Sequence, residues 1–211
     1  MTTPTVDKTM NQSRHWSLLE DARPARVLLV PLACIVAGAV FGGLTNAING
    51  AIGPEHFRVN LRWQDVQQIW RATVAQGVFA GLIYGVLFSV VFTAVVGLVS
   101  RARCAFAFVW SHLMAVFFAI LCCWAASGVI GIGLAALSPE FFRHTFPGVP
   151  EGFGPLTRYA WVGGSTFGAL FGALLAAVLA PILFAIRWRR LHGGSLLVPE
   201  KPRPKSASQD V

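Results

Sequence analysis

Residues 72–100 read ATVAQGVFAGLIYGVLFSVVFTAVVGLVS, 29 residues in succession without a charged side chain. A helix rises 1.5 Å per residue, so about 20 apolar residues cross the ~30 Å hydrocarbon core of a bilayer. The stretch exceeds that length and predicts a transmembrane helix that tilts or protrudes. Three more runs have the same character, at about 27–52, 105–137 and 160–186. The first begins too late and is too long for a signal peptide, whose apolar region is about 7–15 residues near the start.

The composition agrees. Hydrophobic residues make up 55% and charged residues 12% of the 211, with mean hydropathy +0.62. A soluble domain carries about 25% charged residues, and half that leaves too little polar surface to face water. The expected fold is an all-α integral membrane protein, a bundle of four transmembrane helices. Asp65 and Thr157 stand before the second and fourth spans as candidate helix N-caps.

The net charge of +8 does not point to nucleic acid, because the basic residues flank the apolar runs. Flanking charge sets orientation instead. Twelve Lys and Arg fall in the two tails and the second loop, including Arg101, Arg103, Arg187, Arg189 and Arg190, against five in the first and third loops: Arg58, Arg62, Arg71, Arg143 and Arg158. The positive-inside rule places both termini in the cytoplasm, and the expected location is the bacterial cytoplasmic membrane. Trp110 and Trp188 then mark the inner interface, and Trp63, Trp70 and Trp161 the outer one. Residues 1–25 and 188–211 are rich in polar residues and proline and read as disordered tails, with a short interfacial piece around Trp16, Leu18 and Leu19.

A duplication organises the rest. The first outer loop opens Gly53-Pro54-Glu55-His56-Phe57-Arg58 and the third opens Ser138-Pro139-Glu140-Phe141-Phe142-Arg143. In the helices that follow, Arg71, Gly77, Gly81 and Gly85 correspond to Arg158, Gly164, Gly168 and Gly172. The chain reads as two helix–loop–helix repeats, 26–100 and 101–187. Each crosses twice, so the copies are parallel and related by an axis along the membrane normal. Glycines four apart share a helix face and let another backbone approach closely, the packing device of membrane helices. Gly38, Gly42, Asn46 and Gly50 form a related series in the first span, and Ser127, Gly131 and Ala135 in the third. The loop element resembles that of uncharacterised bacterial multi-pass membrane proteins with a Ser-Pro-Glu-aromatic-Phe motif. It covers the two short loops, with Gly53 and His56 departing from the motif in the first, and it implies no activity.

Candidate chemistry is sparse. In each Pro-Glu pair the proline suits the first helical position and the glutamate the positive end of the helix dipole. The adjacent phenylalanines are expected to face the membrane. The alternative is that Glu55 and Glu140, with Asn46, Asn49 and the membrane-depth His112, line an ion or solute path. Gln76 accompanies the two asparagines, and His56 and His144 flank the glutamates. Cys34, Cys104, Cys122 and Cys123 lie in or beside apolar runs without a C-x-x-C and read as small packing residues. No phosphate loop, nucleophile triad, metal cluster or haem motif occurs in the sequence, so no cofactor and no enzymatic activity are expected. The leading expectation is a non-catalytic scaffold or accessory component, with the bilayer and either a second copy or other membrane proteins as partners. A small oligomeric transporter or channel for a cation or small solute is the alternative.

Overall fold

A computed structural model of the protein describes residues 28–100, 104–146 and 148–192. These residues form six helices and no strand: α1 (Leu29–Ile52), α2 (Pro54–Asn60), α3 (Ile69–Ser100), α4 (Phe106–Leu137), α5 (Pro139–Thr145) and α6 (Phe153–His192). Four of them, α1, α3, α4 and α6, are long and apolar enough to cross a membrane. The expected tails before residue 26, the Trp16 segment, and Arg101 and Arg103 lie outside the described residues. At the other end α6 stays helical through Trp188 to His192.

The four long helices pair as two hairpins. α1 packs chiefly on α3 and α4 chiefly on α6, and the hairpins meet mainly through α3 and α6. The short helices α2 and α5 fill the turns of the hairpins at one end of the bundle, the loop end. The start of α1, the finish of α3, the start of α4 and the finish of α6 gather at the other, the tail end.

Missing Cβ atoms explain the tightness of each hairpin. A Cβ on Gly42 would overlap the Gly77 carbonyl and one on Gly77 the Gly42 carbonyl. Gly38 and Gly81 are related in the same way. In the second hairpin a Cβ on Gly131 would strike the Ala160 carbonyl, one on Gly164 the Ser127 carbonyl, and one on Gly168 the Cys123 carbonyl. Backbone lies directly on backbone in both. That contact supplies dispersion and Cα–H···O attraction. Gly85 and Gly172 continue the faces against Ile35 and Cys123.

Aromatic packing closes the tail end. Val30 of α1, Phe92 and Val96 of α3, Val109 and Leu113 of α4, and Ala180, Phe184 and Trp188 of α6 form one buried cluster with Cys34 and Cys104. Phe92 and Phe184 meet edge to face at 5.8 Å, a favoured aromatic geometry. This cluster ties the two hairpins together at that end.

At the loop end the Pro-Glu elements form the expected turns. Pro54 and Pro139 open α2 and α5, with Glu55 and Glu140 in the first turn. Ser138 Oγ accepts from the Phe141 amide at 3.4 Å, a cap that Gly53 cannot supply. Three local expectations need correction. Asp65 is not a cap, since α3 begins four residues later, at Ile69. Thr157 lies inside α6, which starts at Phe153 after Gly152 (φ 88°), and its hydroxyl donates back to the Gly154 carbonyl. Phe57 and Phe142 turn inward and are buried, because α2 and α5 fold back over the hairpin ends; only Phe141, 61% exposed, points out. Trp188 is likewise buried, whereas Trp70 and Trp110 keep an exposed flank.

Candidate functional site

The polar side chains that bond from one helix to another fall into three separate groups. The first stitches α1 to α3. Asn46 replaces a glycine in the α1 series, and its amide reaches across the seam to the Thr73 carbonyl (3.1 Å) and to Gln76 Oε1. Both amide hydrogens are thereby used. One turn along, Trp70 Nε1 donates to the Ala47 carbonyl at 3.0 Å, and Thr73 Oγ1 donates to the Trp70 carbonyl at 2.7 Å.

The second group joins the two hairpins at the loop end. Ser165 of α6 is fully buried and lies 3.1 Å from Oδ1 of Asn49, itself 1% exposed. Nearer the end, Asn60 of α2 donates to Tyr159 Oη of α6 at 3.1 Å. The His56 ring packs 4.8 Å from the Tyr159 ring and beside Gly163, where a side chain would crowd it. Nδ1 of His56 is buried without a hydrogen-bond partner. Burial pushes the His56 pKa down to about 4, so the ring is neutral near pH 7.

The third group is His112, near the tail end. Its Nε2 lies 3.2 Å from the Ala180 carbonyl. A carbonyl only accepts, so Nε2 carries a proton. Phe92 stacks on the imidazole at 6.2 Å and Phe184 meets it edge-on at 5.8 Å. The histidine holds α4 against α6 beside Pro181, which lacks the N–H that would otherwise bond the Ala177 carbonyl.

Glu55 and Glu140 join none of these groups. Both are exposed, on the first turns of α2 and α5. The five residues considered for an ion or solute path therefore lie in different places: two carboxylates at the surface, Asn46 and Asn49 in two different helix contacts, and His112 at the opposite end. His144 is exposed on α5. Among the described residues no three His, Cys, Asp or Glu side chains come together as a metal site would require. The six glycines Gly77, Gly81, Gly85, Gly164, Gly168 and Gly172 all sit in helix contacts.

Sequence reading did not single out Ser165, Tyr159 or Asn60, whose partners are 99 to 116 residues distant or on another helix. It also missed the edge-to-face pair Trp124–Trp161, 5.4 Å apart, with both indole N–H groups buried and unpartnered. A depression of about 250 Å³ beside Trp161 is lined by Ile52, Ile132, Thr157 and Arg158 and is mostly apolar. No protein-family model, curated protein or solved structure matches the chain.

Proposed function

We propose that the chain is an integral membrane protein that crosses the bilayer four times, with the tail end in the cytoplasm, and that it acts as a non-catalytic scaffold or accessory component through its helix contacts. The observation that carries this reading is the dispersal of the polar groups. A transporter holds its ion- or solute-binding groups around one cavity near mid-membrane. Here Asn46 is committed to Gln76 and Thr73, Asn49 to Ser165, and His112 to Ala180.

The two hairpins are two copies of one unit. Supporting this, Gly77 faces Gly42 and Asn46 while Gly164 faces Ser127 and Gly131, and Gly81 faces Gly38 while Gly168 faces Cys123. The contacts repeat in the register of the Pro54-Glu55 and Pro139-Glu140 motifs. Asn46 takes the place that Gly131 holds in the second copy, so the first copy has gained a polar stitch across an otherwise equivalent seam.

Reconstitution of the purified chain into liposomes tests the functional reading. Proton and monovalent-cation flux should match protein-free liposomes. A flux above that background which disappears in the E55Q/E140Q variant would overturn the reading in favour of a transporter.

A further inference from the structure

The charges of the described residues divide unevenly between the two ends. All four carboxylates, Glu55, Asp65, Glu140 and Glu151, belong to the loop end, together with Arg58, Arg62, Arg71, Arg143 and Arg158. The tail end carries Arg187, Arg189 and Arg190, all exposed, with no carboxylate among the described residues there. Arg187 and Arg190 are three apart and neighbours on one face of α6, where like charges repel unless an anion lies between them. Arg187 is also held in place, its guanidinium 5.1 Å from the centroid of the Phe108 ring on α4. Directly along the same face, toward mid-membrane, stand Leu179 (49% exposed) and Leu183 (54% exposed), each four residues from the next.

That order, two exposed leucines and then two guanidiniums with no carboxylate partner among the described residues, is the outline of one phospholipid. We propose that the α6 face Leu179–Leu183–Arg187–Arg190 binds an anionic phospholipid of the cytoplasmic leaflet, its acyl chain along the leucines and its phosphate between the two arginines. Guanidinium is suited to this contact because its planar fork meets two phosphate oxygens at once. A zwitterionic lipid offers the same phosphate together with a cationic group that the arginines repel, so the site discriminates by net headgroup charge. Arg189 points to a different side of the helix and lies outside the site. The proposal rests on the membrane orientation given above.

The test uses the full chain in phosphatidylcholine liposomes, with spin-labelled phosphatidylglycerol and phosphatidylcholine as probes of lipid at the protein surface. Wild type should favour phosphatidylglycerol, and R187Q/R190Q should weaken that association by about 30-fold, from the roughly 1 kcal/mol that each surface arginine contributes. R189Q and the loop-end variant R71Q/R143Q should retain most of it. Salt at 1 M should erase the wild-type preference, which checks the electrostatic origin without any substitution. Equal association of the two probes with wild type overturns the site, and so does a loss on R189Q as large as on R187Q/R190Q. Competition by inorganic phosphate as effective as that by the lipid overturns the lipid assignment in favour of a free anion. Extraction of the chain from its native membrane by alkaline carbonate would instead sink the membrane reading itself, and that result is read separately.

Discussion

Replacing Gly81 with alanine adds one methyl group at the centre of the α1–α3 seam. The new Cβ would overlap the Gly38 carbonyl and stand 3.1 Å from Ala39 Cα, and both are backbone atoms that cannot rotate away. The helices must separate. A gap of about 0.5–1 Å forfeits a quarter to a half of each dispersion contact along the seam. Overpacking of a close-packed interior costs about 1–3 kcal/mol, and an unyielding backbone neighbour places Gly81→Ala at the upper part of that range. The same substitution at Gly97 of α3 or Gly133 of α4 meets nothing within 4 Å. There the gain in helix propensity should leave stability unchanged or raise it by about 0.5–1 kcal/mol. Gly81→Ala and Gly97→Ala differ by no chemistry, only by surroundings, and they share one helix. Reversible unfolding in mixed detergent micelles should separate them by about 2–4 kcal/mol. Equal stabilities would refute the claim that the glycines exist for close approach. Gly168→Ala, against the Cys123 carbonyl and the Ser127 side chain, should behave as Gly81→Ala does.

Other outcomes follow from the polar contacts. N49A and S165A should each lower stability by about 1 kcal/mol, and a double-mutant cycle should give a coupling of about 0.6 kcal/mol, the usual size for a hydrogen bond between membrane helices; zero coupling would mean that the 3.1 Å contact does not join the hairpins. His56 titrates at about 4 when folded and near 6.5 when unfolded, so below pH 6.5 the unfolded chain takes up a proton that the folded chain refuses. Stability should therefore be flat above pH 6.5 and fall by up to about 1.4 kcal/mol per pH unit between 6.5 and 4, and the slope should vanish in H56F. E55Q/E140Q should cost only about 0.3–1 kcal/mol per site in the same unfolding assay, as expected for charges at the positive end of a short helix; a loss of several kcal/mol would show a buried partner for the carboxylates.

Much of the architecture was legible in the chain, because apolar length and small-residue spacing are local properties. The run at 72–100 is a helix from Ile69 to Ser100, and the proline of each Pro-Glu pair opens a helix. The glycine series named in the first and third spans proved to be the surfaces that the second and fourth glycine ladders touch. Less legible was anything set by how the hairpins turn about each other. Ser165 looks like an ordinary polar residue in a span until α6 is laid against Asn49, 116 residues earlier. Phe57 and Phe142 have the pattern of interfacial anchors, and only the fold-back of α2 and α5 shows that they fill the bundle's end. Asp65 and Thr157 failed as caps because α3 starts four residues after Asp65 and α6 four residues before Thr157; short turn-forming stretches carry little periodic signal. The candidate path residues were chosen as polar groups in the spans, Asn46, Asn49 and His112, and as paired loop carboxylates, Glu55 and Glu140, and spacing alone cannot sort these into one cavity or several contacts.

The account depends most on a chain that crosses a bilayer four times with both termini in the cytoplasm. Single cysteines at residues 62, 103 and 151 in a background without Cys34, Cys104, Cys122 and Cys123, probed in intact cells with a membrane-impermeant thiol reagent, test that directly. The account predicts labelling at 62 and 151 from outside and labelling at 103 only after the membrane is opened. Labelling of 103 from outside with protection of 62 would contradict the orientation, and labelling of 62 and 151 from opposite sides would contradict the four crossings.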